Sequence, residues 1–187
     1  ARRGKVVHFE QFGMMDIEAG KQMCADTLFR IYSMTKPIIC TALMTLFERG
    51  HFRLYDPVAK FIPAFGKLKV LNTDRAISTK ETDLVRPVTI RDLMSHTAGF
   101  TYDFLEDSAV SELYREARLL NRADRTLEAF VQELARMPLA FQPGTVWHYS
   151  LATDVLAYLV EVLTDTPFRQ VLEETIFEPL GMMDTNF

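Results

Sequence analysis

A serine and a lysine three residues apart, Ser33 and Lys36, are the first residues of this 187-residue chain whose types and spacing suggest chemistry. An apolar run that ends at Gly50 follows them. Pro37 fixes the start of a helix there, because proline is tolerated only in the first helical turn. Residues three apart share one face of a helix, so the hydroxyl and the amine can come within hydrogen-bond distance. The pattern indicates a nucleophile beside a candidate base.

A lysine accepts the proton of a serine only if burial or nearby positive charge lowers the lysine pKa toward neutrality. The start of an apolar helix offers burial. It also offers free backbone N–H groups, which favour an anion developing on an acyl group attached to Ser33. The structural alternative is a helix-capping serine followed by a surface lysine. A two-residue pattern is too short to decide between them, so both stay open at this point.

Short strands are predicted before this helix. Residues 5–9 and 12–17 have the composition of strands, and Arg3-Gly4 is typical of a hairpin turn. After the helix, residues 66–86 are polar and lack a period, which indicates an irregular surface segment.

Several helices are predicted in the remainder of the chain. Thr89 and Asp92 have the spacing of a helix N-cap and its third residue, and Gly99 is the predicted stop of that short helix. Later helices are predicted from capping residues and from apolar residues at helical spacing, and they cover residues 108–120, 126–137, 152–163 and 168–177. The sequence therefore predicts mostly helix with a little sheet.

The composition is that of an ordinary globular protein, with 48% hydrophobic and 25% charged residues and a net charge of -4. This charge, and the lack of a basic run mixed with aromatics, give no support for nucleic-acid binding. Charged residues interrupt every apolar run before it reaches the length that a bilayer requires, so no membrane segment is predicted. The chain begins at Ala1 without a signal peptide, which leaves a cytoplasmic and a periplasmic location both open.

The two cysteines and four histidines lack the spacing of metal ligands, so neither a metal nor an organic cofactor is predicted. Cys40 lies in the apolar helix and Cys24 in a predicted turn, and two cysteines alone do not define a disulfide framework. His96 and His148 are expected to be hydrogen-bonded structural residues, with proximity to the site as the alternative.

Four separated blocks of the sequence agree with one family. Together and in this order they resemble motifs of the serine β-lactamase and penicillin-binding superfamily. The similarity is closest to the class VIII carboxylesterases, the esterase branch of the class C β-lactamase-like family. The blocks are Ser33-Met34-Thr35-Lys36, residues 89–100, Gln142-Pro143-Gly144 with Trp147-His148-Tyr149-Ser150, and Pro179-Leu180-Gly181-Met182 with Asp184-Thr185. Four ordered blocks are far more specific than the serine and lysine alone.

The resemblance implies an α+β, β-lactamase/transpeptidase-like fold, present here mainly as its helical part with a few N-terminal strands of a truncated antiparallel sheet. Residues 1–30 are expected to form those strands, and residues 31–187 the mainly helical part. A third family motif, a Lys-Thr-Gly or Trp/His-x-Gly triplet on a core strand, does not follow Tyr149. We therefore expect the C-terminal half of the family fold to be absent, together with an oxyanion-hole N–H whose loss typically costs about 10² to 10³ in rate.

The resemblance also implies the roles of three residues. Ser33 is acylated, Lys36 serves as base, and Tyr149 completes the proton relay. A tyrosine beside a protonated lysine can act as a general base, because the cation stabilises the phenolate, and it can then return the proton to the leaving alkoxide. The structural alternative for Tyr149 is a core tyrosine flanked by Trp147.

Three further residues are expected to contact substrate. Tyr102 and Phe104 follow the second block in what the resemblance makes an active-site loop, although aromatics there can equally fill the core. Leu151 stands where class C β-lactamases carry an asparagine that contacts the acylamide side chain of a β-lactam. Leucine cannot form those hydrogen bonds, which favours the esterase branch.

The sequence thus predicts a serine hydrolase that cleaves small-molecule carboxylic esters through an acyl-enzyme on Ser33. The nearest alternative is a β-lactamase, a D-Ala-D-Ala peptidase or a transacylase of the same superfamily. An alternative of a different class is a truncated, non-catalytic module that forms homo-oligomers through its apolar helices and unpaired strands. A nucleophile-elbow mechanism is set aside because the chain contains no Gly-x-Ser-x-Gly.

Overall fold

The first 33 residues form a small unit of their own. The computed structural model describes residues 1–73, 79–122 and 124–186, and it divides into the units Ala1–Ser33 and Met34–Phe187. The first unit contains an antiparallel hairpin of strands β1 (Met14–Asp16) and β2 (Lys21–Gln22). This hairpin confirms the predicted strand within residues 12–17.

The prediction of a strand over residues 5–9 is wrong. Arg3 and Gly4 form the predicted turn, with φ angles of 50° and 73°, and an isolated bridge between Arg2 and Lys5 closes it. The ladder does not continue beyond Lys5 in the described part of the unit. Strand propensity reports how a side chain fits a pleated, paired surface, so apolar residues do not form a strand where pairing stops.

The helix predicted after Ser33 is present. A 3-10 turn (Tyr32–Met34) leads into α1 (Thr35–Glu48), and Pro37 occupies the third position of α1, where no helical hydrogen bond is lost. The buried side chains follow helical spacing and form one face: Ile39, Ala42, Leu43 and Leu46. Beyond the helix, Gly50 has a φ of +78°, which confirms its predicted role in the stop.

The segment predicted to be irregular, residues 66–86, instead contains a hairpin. Strand β3 (Lys69–Thr73) pairs in antiparallel register with β4 (Thr79–Asp83). Leu139 anchors β3 from the other side, because its backbone exchanges hydrogen bonds with Lys69 and Leu71. The prediction failed because β4 is polar throughout, and backbone pairing places no demand on the polarity of exposed side chains.

Helix α2 (Ile90–Met94) begins with the predicted cap. The Thr89 side chain accepts from the Asp92 backbone, and the Asp92 carboxylate accepts from the Thr89 backbone, which completes a capping box. The predicted stop at Gly99 is wrong, because the helix ends at Met94. His96, with a φ of 54°, turns the chain earlier, and Gly99 lies in the loop that follows.

A second set of bonds surrounds the same Asp92 carboxylate. Arg86 donates from both terminal nitrogens, at 2.6 and 2.8 Å, and the Thr89 and Thr97 hydroxyls donate as well. Burial acts to raise the pKa of Asp92, but hydrogen bonds from Arg86 and Thr89 outweigh it, and the net pKa lies below its ordinary value. We call Arg86, Thr89, Asp92 and Thr97 the Asp92 cluster.

Helix α5 (Ala152–Thr164) is the centre of the second unit. Its buried face includes Val155, Leu156, Leu159 and Val160. Two further helices are α4 (Leu127–Leu134), capped by Thr126, and α6 (Phe168–Leu172), which continues as a single π turn (Glu173–Phe177). Helix α5 packs against α1, α2, α4 and α6. Before them, α3 (Ala109–Glu116) is capped by Ser108. Within the described ranges, no helix combines the length and apolarity needed to cross a membrane.

Candidate active site

Lys36, the second residue of α1, directs its amine toward aromatic side chains of the second unit. Its Nζ lies 4.7 Å from the ring centroid of Tyr149 and 5.6 Å from that of Tyr102. Both phenols act to raise the pKa of this amine. The structure therefore brings together three predicted site residues, from α1, from the loop after α2 and from the segment before α5.

The protonation of Lys36 differs from the expectation for a lysine base. Burial acts to lower its pKa, but the hydrogen bonds with Tyr149 and Tyr102 favour the charged form, and the net pKa lies above its ordinary value. Lys36 is therefore a cation at neutral pH. A cation in this position stabilises a phenolate on a neighbouring tyrosine.

Tyr102 is fixed from several sides. Its side chain is 7% exposed, and its ring centroid lies 5.5 Å from that of Tyr149. The buried Ser111 hydroxyl donates to the Tyr102 carbonyl oxygen at 3.1 Å. Burial raises the pKa of the Tyr102 phenol, and the charge of Asp154 raises it further, while the hydrogen bond with Lys36 lowers it; the net direction is upward. Tyr102 is therefore a neutral phenol at physiological pH.

Backbone hydrogen bonds set the spacing of Tyr102 and Tyr149. The segments that carry them run side by side and are joined by four bonds: Gly144 to Thr97, Ala140 to Gly99, His148 to His96, and Leu151 to Thr101, with N–H donors named first. The approach is close at Gly99, where a Cβ atom would overlap the carbonyl oxygen of Phe141. Its φ of +96° also belongs to the region that favours glycine.

Two histidines lie beside these tyrosines. The His96 ring centroid is 4.9 Å from that of Tyr149, and its Nδ1 is 3.4 Å from the Ser150 hydroxyl. Burial lowers the pKa of His96, and the charge of Lys36 lowers it further, so the ring is neutral at pH 7. His148 hydrogen-bonds the Thr101 hydroxyl through Nε2, at 2.9 Å. Both histidines are thus hydrogen-bonded, as one expectation stated, and both lie near the site, as its alternative stated.

The predicted substrate-contacting residues have different surroundings. Phe104 is 67% exposed and stacks on Tyr102, with ring centroids 4.9 Å apart. Trp147 is also 67% exposed and meets His96 edge to face. Leu151, in contrast, is 1% exposed and belongs to the core. A contact between Leu151 and substrate is not supported by this burial and stays a prediction.

Ser33 is the last residue of the first unit. It lies in the 3-10 turn (Tyr32–Met34), three residues before Lys36 in the chain. Its assignment as the nucleophile continues to depend on that spacing and on the family motif.

Asp154, in the first turn of α5, adds a carboxylate to these surroundings. The charge of Asp154 acts to raise the pKa of Tyr102. Burial raises the pKa of Asp154, and this effect outweighs the lowering by the Lys36 charge. Asp154 lies five residues after Tyr149 in the chain.

The described residues contain no candidate metal site. Among the residues that the structure describes, no three His, Cys, Asp or Glu side chains converge in a way that would hold a metal ion. Cys24 and Cys40 are both free thiols. The groups that converge are an amine and two phenols, which are suited to proton transfer rather than to ligation.

Comparisons with known proteins agree with these motifs. The family model described as "Beta-lactamase" matches residues 1–187. Esterase EstB of Burkholderia gladioli is 36% identical over 189 aligned residues, which include all of this chain and 45% of that protein. The chain thus spans about half the length of the curated relatives it matches.

Solved structures show the same similarity. EstCE1, described as a hydrolase with promiscuous acyltransferase activity, superposes with a TM-score of 0.75 at 33% identity, covering 90% of this chain and 42% of that one. Unliganded simvastatin synthase (LovD) from Aspergillus terreus superposes with a TM-score of 0.70 at 29% identity, covering 86% of this chain and 40% of that one. The β-lactamase/transpeptidase-like fold expected from the sequence is confirmed.

Proposed function

We propose, from the premise that this chain belongs to the beta-lactamase family, that it carries the catalytic residues of a serine hydrolase acting on carboxylic esters. Ser33 is the nucleophile, and Lys36 and Tyr149 share the proton transfers. The observation that supports the proposal most strongly is the contact of the Lys36 amine with the phenols of Tyr149 and Tyr102. A surface lysine after a helix cap, the structural alternative, has no reason to lie between two such phenols.

The upward direction of the Lys36 pKa assigns different roles to Lys36 and Tyr149. Because Lys36 is held protonated, it acts as the cation that stabilises a phenolate, and Tyr149 is the group that accepts the serine proton. The neutral ring of His96, packed beside Tyr149, adds no competing positive charge at neutral pH. This assignment refines the expectation that the amine itself is the base.

The proposed reaction proceeds in two halves. The Ser33 oxygen attacks the ester carbonyl carbon while its proton passes to the Tyr149 phenolate oxygen. The carbon–oxygen bond to the alcohol then breaks, and the alkoxide takes that proton from Tyr149, which leaves an acyl group on Ser33. In the second half, water gives its proton to the phenolate and attacks the acyl carbon, and Ser33 leaves with the proton restored. Lys36 keeps its charge throughout.

Esters are the proposed substrate class for two reasons. Esterase EstB is similar along the whole chain. At the position of the β-lactamase asparagine, Leu151 is a core side chain that offers no hydrogen bond to the acylamide of a lactam. The exposed rings of Phe104 and Trp147 are proposed to contact the acyl or alcohol group.

Acyl transfer to an alcohol is a second candidate. It is supported by EstCE1, described as a hydrolase with promiscuous acyltransferase activity. The two reactions share the acyl-enzyme and differ in whether water or an alcohol resolves it. Adding a primary alcohol to an ester assay and separating the new ester from the free acid distinguishes them.

The test of the proposal is the identity of the acylated residue. The full-length protein is treated with a fluorophosphonate probe and with p-nitrophenyl butyrate, and the labelled peptide is identified by mass spectrometry. We expect the label on Ser33, its loss in Ser33→Ala, and no change in Ser95→Ala, whose hydroxyl bonds the Arg91 carbonyl oxygen. A folded protein with no label on Ser33 contradicts the proposed function. Turnover of the β-lactam nitrocefin is measured in parallel, and a strong excess of it over ester turnover contradicts the proposed substrate class.

A further inference from the structure

His96 contacts four consecutive residues, and the proposed base is one of them. Its ring meets Trp147 edge to face, with centroids 6.4 Å apart, and lies 4.9 Å from the ring of Tyr149. Its Nδ1 is 3.4 Å from the Ser150 hydroxyl, and its carbonyl oxygen accepts from the His148 N–H at 2.8 Å. A single residue thus contacts the whole short segment that brings Tyr149 to the site.

The backbone of His96 is fixed by the end of α2. His96 follows the C-cap residue Ser95 and has a φ of 54°. The His96 N–H donates to the Leu93 carbonyl oxygen, and the Thr97 N–H donates to the Asp92 carbonyl oxygen. These two bonds form a Schellman motif, in which the residue at the position of His96 has a left-handed backbone. The imidazole therefore projects from a backbone position with little freedom.

The turn at His96 does not itself require an imidazole. A helix that ends in this motif usually carries glycine there, and sometimes asparagine, because a left-handed backbone is unfavourable for a residue with a Cβ atom. Histidine adopts this conformation more often than most residues, but still at a cost. The contacts of the ring with Tyr149 and Ser150 give the side chain a role that the turn does not.

A phenol that exchanges protons must be held in place, because a displacement of about 1 Å can cost about 10² in rate. The Lys36 amine lies 4.7 Å from the Tyr149 ring centroid, and the Tyr102 ring lies 5.5 Å from it. His96 adds a contact that is closer than that of Tyr102. Burial lowers the pKa of His96, and the charges of Lys36 and His148 lower it further, so a neutral ring packs beside the phenol at pH 7.

We propose that His96 is a positioning residue, whose imidazole packs against the Tyr149 ring and keeps the phenol beside the Lys36 amine. Ser150 holds the edge of the imidazole in this orientation. The inference rests on the proposed function, because it takes Tyr149 as the group that exchanges protons with substrate. It requires neither contact between His96 and substrate nor proton transfer by the imidazole.

A double-mutant cycle on the full-length protein tests whether His96 acts through Tyr149. His96→Asn removes the ring, and asparagine adopts a left-handed backbone readily. With p-nitrophenyl butyrate we expect kcat to fall about tenfold and KM to stay within about twofold, because the orientation of a base acts on the transition state. In Tyr149→Phe the same substitution should change kcat/KM less than about twofold, since the phenol that it positions is gone. An equal fold loss in both backgrounds overturns the inference.

A second readout does not depend on ester turnover. The full-length protein is labelled competitively with acetic anhydride across a range of pH, and the acetylated fraction of Lys36 is read by mass spectrometry. In His96→Asn we expect the midpoint of Lys36 reactivity to move to lower pH, because Tyr149 acts to raise the pKa of this amine and is no longer held against it. Easier access of water alone would move the midpoint upward, because burial acts to lower that pKa. A midpoint that stays in place or rises contradicts a positioning role.

His51→Asn is the matched control, because it makes the same chemical change at an exposed histidine. We expect it to leave kcat and the Lys36 midpoint unchanged. If His96→Asn does not fold, His96→Gly removes the ring with the residue that this turn usually carries, and it is read in the same way. Wild-type protein without a label on Ser33 contradicts the proposed function instead, so the two failures are distinguished by different measurements.

Discussion

The second unit contains two clusters of polar side chains, and they stabilise a charged group in different ways. In the Asp92 cluster, one buried carboxylate accepts from Arg86, Thr89 and Thr97, and each of its oxygens has more than one donor. In this cluster the charge of the Asp92 carboxylate is balanced by Arg86, and its oxygens accept hydrogen bonds from the two threonines. Around Lys36, in contrast, one amine lies against the rings of two phenols, Tyr102 and Tyr149. The second cluster contains groups that can exchange protons.

This difference separates a structural role from a chemical one. A saturated carboxylate has nothing further to accept, so the Asp92 cluster fixes the start of α2 and holds the Arg86 segment against it. A group of one amine and two phenols can exchange a proton without breaking the fold. Substitutions in the two clusters should therefore have opposite signatures, one on stability and one on turnover.

The largest effect is expected for Tyr149→Phe. Removing the hydroxyl takes away the proposed base, so ester kcat/KM should fall by about 10² to 10⁴. The phenyl ring keeps its packing against His96, so the free energy of unfolding should change by less than about 1 kcal/mol. Steady-state kinetics and urea unfolding of the same preparation measure the two quantities. Near-normal turnover by the folded variant would show that the phenol takes no part.

Gly99→Ala tests the frame that connects the clusters. A methyl group there overlaps the Phe141 carbonyl oxygen, and alanine does not favour a φ of +96°. We expect the free energy of unfolding to fall by about 3 kcal/mol, with lower turnover in the fraction that folds, because Tyr102 lies three residues further along. Gly50→Ala, also at positive φ but with open space around it, is the control for backbone strain alone. An equal loss in both variants would exclude the close approach as the cause.

Asp92→Asn should destabilise the protein by about 2 to 3 kcal/mol at neutral pH while turnover per folded molecule stays unchanged. The folded-state pKa of Asp92 is depressed, so its contribution is present above the unfolded-state pKa of about 4 and is lost as pH falls through the folded-state value. The difference in stability between wild type and variant should therefore shrink in acid. Urea unfolding at a series of pH values measures it. A constant difference would mean that charge is not what stabilises this cluster.

The smallest effect is expected for Tyr102→Phe. It removes one of the two phenols that bond Lys36, so kcat/KM should fall about tenfold, the equivalent of one hydrogen bond of about 1.4 kcal/mol. The reactivity midpoint of Lys36 toward acetic anhydride should move to lower pH, because a bond that favours the charged amine is lost. Phe104→Leu, which changes the ring stacked on Tyr102, serves as the packing control for the Lys36 midpoint, a quantity that is measured without substrate. A loss as large as that in Tyr149→Phe would reverse the roles of the two tyrosines.

Local rules predicted those parts of the fold that local chemistry determines. Pro37 placed the start of α1, and the Thr89 and Asp92 pair placed the start of α2, because caps and prolines act within one turn. The polar strand β4 was missed, since its place depends on backbone pairing with β3. Gly99 was taken as a helix stop because the sequence cannot show the approach of Phe141 from 42 residues away.

The candidate site was predictable in its members but not in its electrostatics. Lys36, Tyr149 and Tyr102 were identified from motifs, and the structure brings their side chains together. The expectation of a lowered lysine pKa was based on burial or nearby positive charge. The upward direction comes from two phenols reaching one amine, which requires knowledge of how distant segments align.

The spacing between the two tyrosine-bearing segments depends on main-chain bonds rather than on the side chains between them. Natural variation can therefore replace residues along both segments, and so alter which molecules are accepted, while the distance between the phenols is inherited intact. Gly99 is the exception, because its missing side chain is itself part of the spacing. In such an arrangement, the proposed reaction centre and the surface around it can change independently of each other.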